Sequence, residues 1–286
     1  MRGDASTRTR FTQALLDDLL AVLWTASARR RARPLLVGIS GLQGSGKSTL
    51  ARQLCEHARG LGIACEALSL DDFYLGRGAR QALARRVHPL LATRGVPGTH
   101  DLFLLAATLD ALATASPKHP LHLPRFDKGR DTRLAPSRWR RVTQAPRLIL
   151  LEGWCVGIPA QDADALRRPV NALERSEDRD GHWRQWVNAQ LVGDYAALWQ
   201  RLDRLLVLQA PSFARARRWR SQAEQSLRTR GASRAMDEAA LLRFFMHYER
   251  LSRHALATLP ASAGVCVELD GQRAVRAIRA RPGSSE

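Results

Sequence analysis

Gly41-Leu42-Gln43-Gly44-Ser45-Gly46-Lys47-Ser48-Thr49 follows directly on the apolar run Leu35-Leu36-Val37-Gly38-Ile39. The pattern Gly-x-x-x-x-Gly-Lys-Ser has a mechanical reason at each place. Glycines let backbone N–H groups turn inward around phosphate oxygens, a lysine reaches the β- and γ-phosphates, and a hydroxyl ligates Mg²⁺. A buried strand feeds the loop, and Thr49-Leu50-Ala51-Arg52-Gln53-Leu54 leaves it with an amphipathic pattern. The positive end of a helix dipole is thereby aimed at the phosphates. Gly41, Gly44, Ser45, Gly46, Lys47, Ser48 and Thr49 are the candidate nucleotide-binding residues, with Ser48 also a metal ligand. A nucleoside triphosphate and Mg²⁺ are the implied ligands.

The chain's 286 residues suffice for one large α/β domain with a small appended lobe. No stretch approaches the ~20 uninterrupted apolar residues of a membrane span. The best candidate, Phe11 to Trp24, is broken by Asp17 and Asp18 and reads as an amphipathic helix. The N-terminus has neither the apolar core nor the small-residue cleavage pattern of a secretory signal, so a cytoplasmic location is the default. Cys55, Cys65, Cys155 and Cys266 are scattered, without a Cys-x-x-Cys pair or histidines at zinc spacing, and read as packing residues. The net charge of +18 raises the question of a nucleic-acid partner. Only Lys47, Lys118 and Lys128 are lysines, a skew toward arginine that GC-rich codon usage produces without any function. The densest clusters (Arg29-Arg30-Arg31, Arg138 to Arg141, Arg215 to Arg220) lack the alternation with aromatics of a single-strand groove, which argues for solvated helix faces and against nucleic acid.

Apolar strands alternate with helical stretches, predicting a mostly parallel sheet covered by helices, the α/β architecture of a three-layer P-loop fold. Candidate strands are Leu35 to Ser40, Ala64 to Leu70, Leu148 to Leu151, Arg204 to Leu208 and Val265 to Leu269. Helical period marks Asp101 to Ala113, Trp183 to Leu202 and Asp237 to Leu259, the last stopped by Pro260. Pro117 to Pro146 reads as an ordered loop and Asp162 to Gly181 as a polar surface excursion. Residues 1–33 form an N-terminal helical segment and 34–286 the main domain, with acceptor-site loops over about 71–146 and a helical lid over about 211–235.

A phosphate-binding loop alone does not separate kinases from GTPases, motors or transporter ATPases. The second strand is followed by Ser69-Leu70-Asp71-Asp72-Phe73-Tyr74, which puts two carboxylates at a strand's carboxyl end, where open α/β sheets bind ligands. Such a carboxylate accepts the proton of an attacking hydroxyl and helps hold Mg²⁺. Strand alternation groups Asp71 with Ser69 and opposite Leu70, favouring Asp71 as base beside Lys47, while Asp72 is free to cap the next turn. Leu148-Ile149-Leu150-Leu151-Glu152 ends a third strand on an acid, the Walker-B position, making Glu152 a second candidate metal residue. After the fourth strand, Arg217 and Arg220 share a helical face with Glu224 and Arg228. That spacing suits a lid closing on phosphates as well as it suits a plain solvated helix.

With these residues in view, the chain resembles the D-glycerate 3-kinase family of P-loop kinases, and more distantly phosphoribulokinase, uridine kinase and bacterial pantothenate kinase. The resemblance rests on Gly41 to Thr49, Leu70 to Leu75, Arg94-Gly95-Val96-Pro97-Gly98-Thr99-His100-Asp101, Pro124-Arg125-Phe126-Asp127-Lys128, Leu151 to Trp154 and Trp219 to Glu224. It implies ATP-dependent phosphorylation of a primary alcohol on a small acid, D-glycerate to 3-phosphoglycerate, with Asp71 as base and Glu152 by the metal. Tyr74, Thr99, His100, Asp101, Asp127 and their neighbours would form the acceptor pocket. Arg94, His100, Arg125 and Lys128 are the cations within reach of an acceptor carboxylate, Arg125 favoured for its bidentate geometry. Ser48 stands where many members have Thr, residues near Gly231 to Asp237 differ from the plant-like pattern, and 155–200 look like the bacterial branch. The alternatives are a kinase for a nucleoside, pantothenate or another alcohol, with Tyr74 and Phe126 as stacking surfaces, and a regulatory or nucleic-acid module that transfers no phosphate.

Overall fold

The structure, a computed structural model, describes residues 11–25, 31–229 and 236–281. The sequence clusters at Arg29 and Arg30 and most of the segment Gly231 to Asp237 lie outside the described residues.

Helix α1 (Gln13–Leu23) begins where the Thr12 hydroxyl accepts the Leu15 N–H, and its Leu15, Leu16, Leu19, Leu20 and Leu23 are buried in the main core. Strand β1 (Leu35–Gly41) is buried along its whole length, as a central parallel strand covered on both faces must be. It runs through the loop into α2 (Lys47–Gly60), and β2 (Cys65–Ser69) follows. After α3 (Arg77–Arg86) and α4 (Leu102–Leu112) come four short strands in antiparallel pairs, β3 (Leu121–Leu123) with β6 (Arg140–Val142) and β4 (Phe126–Asp127) with β5 (Thr132–Arg133). Next are β7 (Leu148–Gly153), α5 (Ala163–Leu166), α6 (Ala172–Glu177), α7 (His182–Val192), α8 (Asp194–Trp199), β8 (Arg204–Gln209) and α9 (Phe213–Thr229). The chain closes with α10 (Glu238–Ser262), β9 (Val265–Leu269) and β10 (Val275–Ala280).

The main sheet runs β10-β9-β8-β1-β7-β2, parallel except for β10. This order sets the strand carrying the phosphate loop beside β7, and β7 beside β2. Register aligns Ile39 with Glu152 and Glu152 with Ser69, so loop, acid and carboxylate pair emerge at one edge of the sheet. Among the described residues no helix is long and apolar enough to cross a membrane.

The five expected strands are present, and four local expectations are corrected. Strand β2 ends at Ser69, one residue early, and Leu70–Phe73 is a 3₁₀ turn, so strand alternation does not orient Asp71. The stretch from Trp183 divides at Gly193 into α7 and α8. Helix α10 continues past Pro260 to Ser262: proline this near a helix end forfeits one N–H bond, and Ala263 N–H still reaches the Leu259 carbonyl. Residues 162–181 are not merely a surface excursion, for they bury Glu174 and Asp178 completely. Glu174 takes both Arg250 Nε at 2.8 Å and Arg250 Nη2 at 2.7 Å, while Asp178 takes Arg184 Nη1 at 2.8 Å and the Trp183 N–H at 2.7 Å. Strand β10 was missed because its residues are exposed or half-buried and arginine-rich, a guarded sheet edge with no apolar alternation to read.

Candidate active site

Loop 41–49 wraps tightly because its glycines permit it. Gly44 and Gly46 have φ of +82° and +95°, and a Cβ on Gly44 would lie 3.0 Å from both the Trp219 Cβ and the Arg220 backbone N. Helix α9 therefore lies directly on the loop. Helix α2 starts at Lys47, with its N-terminal dipole directed at the loop's concavity. The Ser45 hydroxyl and the Gln43 amide nitrogen are buried without a hydrogen-bond partner among the described residues. Buried polar groups are normally satisfied, so such orphans in a glycine cradle fit a loop built to receive phosphate oxygens.

The Ser48 hydroxyl donates to Glu152 Oε1 at 2.7 Å, with Glu152 buried at the end of β7. A hydroxyl and a carboxylate in contact are hard oxygen donors of the kind Mg²⁺ prefers. On the other side of Glu152 the 3₁₀ turn divides the two acids. Residues three apart eclipse in such a turn, and Tyr74 accordingly lies over Asp71, its hydroxyl donating to Asp71 Oδ1 at 2.7 Å. Lys128 Nζ holds Asp71 Oδ2 at 2.5 Å. Burial alone would raise the Asp71 carboxyl, but the charges of Lys128 and Lys47 outweigh it and hold the group at about 2. Asp72 turns away, accepts the Phe126 N–H at 3.0 Å and meets Arg125 Nη1 at 3.6 Å; burial raises its carboxyl.

The remaining sequence-selected residues divide between the site and its scaffold. Thr99 is buried and spends its hydroxyl on its own loop, accepting from Gly95 N–H at 2.8 Å and donating to the Val96 carbonyl at 2.7 Å. Asp101 caps α4 through the Leu104 N–H and pairs with Arg133 at 3.0 Å. Asp127 accepts the N–H groups of Gly129 and Arg130, closing the turn that carries Lys128. His100 shares a 2.6 Å hydrogen bond with the Tyr195 hydroxyl and stacks on Tyr74. Burial pushes its imidazole down to about 4, so it is neutral at neutral pH.

No protein-family model matches the chain. The chain is 32% identical over 243 residues to the uncharacterized kinase mug58 of Schizosaccharomyces pombe, covering 82% of this chain and 86% of that protein. It is 33% identical over 213 residues to the chloroplastic D-glycerate 3-kinase of Arabidopsis thaliana, which covers 72% of this chain but 44% of the plant protein. The chain belongs to the family of P-loop kinases that includes D-glycerate 3-kinase. The kinase's fold also matches a solved D-glycerate 3-kinase from Cryptococcus neoformans at a TM-score of 0.75 with 23% identity, over 94% of this chain and 100% of that one. None of these relatives ties the kinase to one branch of the family.

Several residues that shape loop 94–101 and its surroundings escape a sequence reading. Arg80 of α3 is fully buried, donates to the Ala92 and Leu75 carbonyls and pairs with Asp131, which also takes Arg94 Nη1 at 2.5 Å. Loop 94–101 is pinned from three distant elements. The Trp154 indole donates to the Gly95 carbonyl at 2.8 Å, the Tyr248 hydroxyl to the Arg94 carbonyl at 2.7 Å, and the Gly98 N–H to the Tyr195 hydroxyl at 3.0 Å. Arg80 is one arginine among many in sequence; Tyr195 and Tyr248 carry only helical period, which reads as core, and the motif Leu151 to Trp154 does not announce which loop Trp154 holds. Gly95 has φ +117°, and a Cβ there would stand 2.0 Å from the Tyr248 hydroxyl oxygen. Gly95→Ala is expected to destabilise the kinase by about 1–3 kcal/mol and to raise the acceptor KM, as read by denaturant unfolding and steady-state kinetics.

Among the residues expected to form a lid, Arg220 begins at the Gly44 contact, pairs with Glu224 at 2.7 Å and lies over the Phe244 ring. Arg217 is exposed and lies over Phe245, one helical turn back from that contact. Arg228's side chain falls outside the described residues. Of the two arginines on this face whose side chains are described, Arg220 has its backbone at the phosphate loop.

Proposed function

We propose that this kinase transfers the γ-phosphoryl group of ATP to the primary hydroxyl of a small hydroxy acid, D-glycerate to give 3-phosphoglycerate. The observation that carries the proposal is Asp71, whose carboxylate meets Lys128 Nζ at 2.5 Å and the Tyr74 hydroxyl at 2.7 Å just beyond the strand that pairs with Glu152. In the reaction the Asp71 carboxylate accepts the hydroxyl proton as the oxygen attacks the γ-phosphorus. The new P–O bond forms as the bond from phosphorus to the β,γ-bridging oxygen breaks, its electron pair leaving with ADP, and Asp71 then returns its proton to solvent. Lys47 and the loop N–H groups hold the β- and γ-phosphates in line, and Arg220 is the nearer lid cation for the charge on the transferring group. Ser48 and Glu152 would hold Mg²⁺, which supplies charge neutralisation to the phosphate oxygens. A cytoplasmic location belongs to the same proposal.

A nucleoside acceptor is disfavoured by the same geometry. Tyr74 and Phe126 are buried, and their rings already pack on His100 and on each other. The charge pattern speaks against a nucleic-acid module, since many arginines are paired within the chain: Arg31 and Arg33 meet Asp203, and Arg59 and Arg140 meet Glu66. The test is acceptor-dependent ADP release with D-glycerate, uridine, cytidine and pantothenate. D-Glycerate is expected to stimulate release, and turnover of uridine without D-glycerate would reject the assignment. Lys47→Ala is expected to lower kcat/KM for ATP by about 10²- to 10³-fold in the same assay, through lost stabilisation of phosphate charge.

A further inference from the structure

Four cations were in reach of an acceptor carboxylate by sequence, and their surroundings differ. Arg94 is engaged throughout: its guanidinium meets Asp131 and, at 3.2 Å, the Lys128 carbonyl, and lies over the Tyr74 and Phe126 rings. His100 is buried and neutral. Arg125, the bidentate favourite, is 60% exposed and leans on Asp72, whose carboxylate is itself tied to the Phe126 N–H. It thus sits beside the acid that faces away from the phosphate loop.

Lys128 combines position with freedom. Its ammonium lies 2.5 Å from Asp71 Oδ2, at the atom that must meet the reacting hydroxyl, yet its side chain is 60% exposed. Arg94 holds the Lys128 carbonyl and Asp127 closes the adjoining turn, so the main chain is fixed while the four-carbon stem turns. In a three-carbon hydroxy acid the carboxylate is two bonds from the carbon bearing the primary hydroxyl. An ammonium touching the base is therefore within a stem's swing of the acid group.

We propose that Lys128 determines acceptor specificity by serving two carboxylates in turn, first Asp71 and then the acceptor's own. The exchange trades one charge-assisted contact for another. It brings the acid acceptor its counter-charge and, in the same movement, releases Asp71 Oδ2 to the hydroxyl. A neutral alcohol, or water, has no claim on the ammonium and meets an Asp71 that is still neutralised. The inference rests on the hydroxy-acid reading of the acceptor and adds to it a named residue and a reason for discrimination.

The test measures kcat/KM for D-glycerate and for its neutral isostere D-glyceramide, using the full chain as wild type, K128M and R125M. Wild type is expected to prefer the acid, K128M to lose about 10- to 100-fold of that preference, and R125M to lose less. A preference in K128M within about twofold of wild type overturns the proposal, as does R125M erasing the preference while K128M keeps it. K128Q, which retains a polar stem, repeats the measurement should K128M fail to fold. If wild type shows no preference for the acid, the hydroxy-acid reading itself has failed, and that is visible before any variant is compared.

Discussion

Asp71→Asn is expected to lower kcat by about 10²- to 10⁴-fold while leaving ATP affinity within about twofold of wild type. The substitution is nearly isosteric. An asparagine carbonyl still accepts the Tyr74 hydroxyl that donates at 2.7 Å, so the 3₁₀ turn keeps its shape. What goes is the group able to take the hydroxyl proton, and with it the charge that holds Lys128. The nucleotide side is spared because the phosphate loop and the Ser48–Glu152 contact belong to other strands. Calorimetric ATP binding alongside single-turnover phosphoryl transfer separates the two effects, and full activity in this variant would reject Asp71 as the base. In the unliganded kinase the carboxyl, held at about 2, is ionised at every pH where the protein would be assayed, so it should contribute no acid limb to kcat/KM near neutrality.

Glu174→Ala is expected to cost about 3–5 kcal/mol of stability, measured by denaturant unfolding. Glu174 is fully buried and takes both ends of the Arg250 fork, while Arg250 also donates to the Ala165 and Arg168 carbonyls. Removing the acid strands a guanidinium inside the fold without its counter-charge, a larger loss than the pair's own net contribution. The double variant E174M/R250M is expected to recover most of the loss, because no charge is then left buried. The single variant should also raise the acceptor KM: Arg250 lies two residues beyond Tyr248 on α10, and Tyr248 holds the Arg94 carbonyl at the start of the acceptor loop. Stability without any change in acceptor KM would separate α10's structural role from the site.

The phosphate loop, Glu152 and the five parallel strands were legible because each depends on residues close in sequence: a strand's apolar run, a glycine spacing, an acid at a strand end. Asp71 and Asp72 part company in the fold for a reason other than the one read in sequence. Alternation in a strand was the sequence argument, whereas a 3₁₀ turn is what leaves Asp71 with Lys128 and the Tyr74 hydroxyl and sends Asp72 to the Phe126 N–H. Thr99 and Asp101 look like pocket residues within their motif, and their side chains turn out to tie the motif together. Arg80, Trp154, Tyr195 and Tyr248 act on the same loops from elsewhere in the chain, so no local pattern announces their partners.

The sequence by itself determined that a triphosphate-binding loop leaves a buried strand and that acids stand at or just beyond the carboxyl ends of two further strands, a pattern that points to phosphoryl transfer. Those conclusions rest on backbone requirements and residue types that hold wherever the segments come to lie. Only the tertiary structure decided which charges meet. Strand order and register bring Ser48 to Glu152 across a separation of 104 residues and Lys128 to Asp71 across 57, contacts no spacing rule encodes. Arginine was the expected partner for the acceptor's carboxylate, on grounds of side-chain geometry alone. Once the chain is folded, Lys128 is the cation in contact with Asp71 while Arg125 leans on Asp72, because electrostatic partnership depends on distance and burial rather than on residue type.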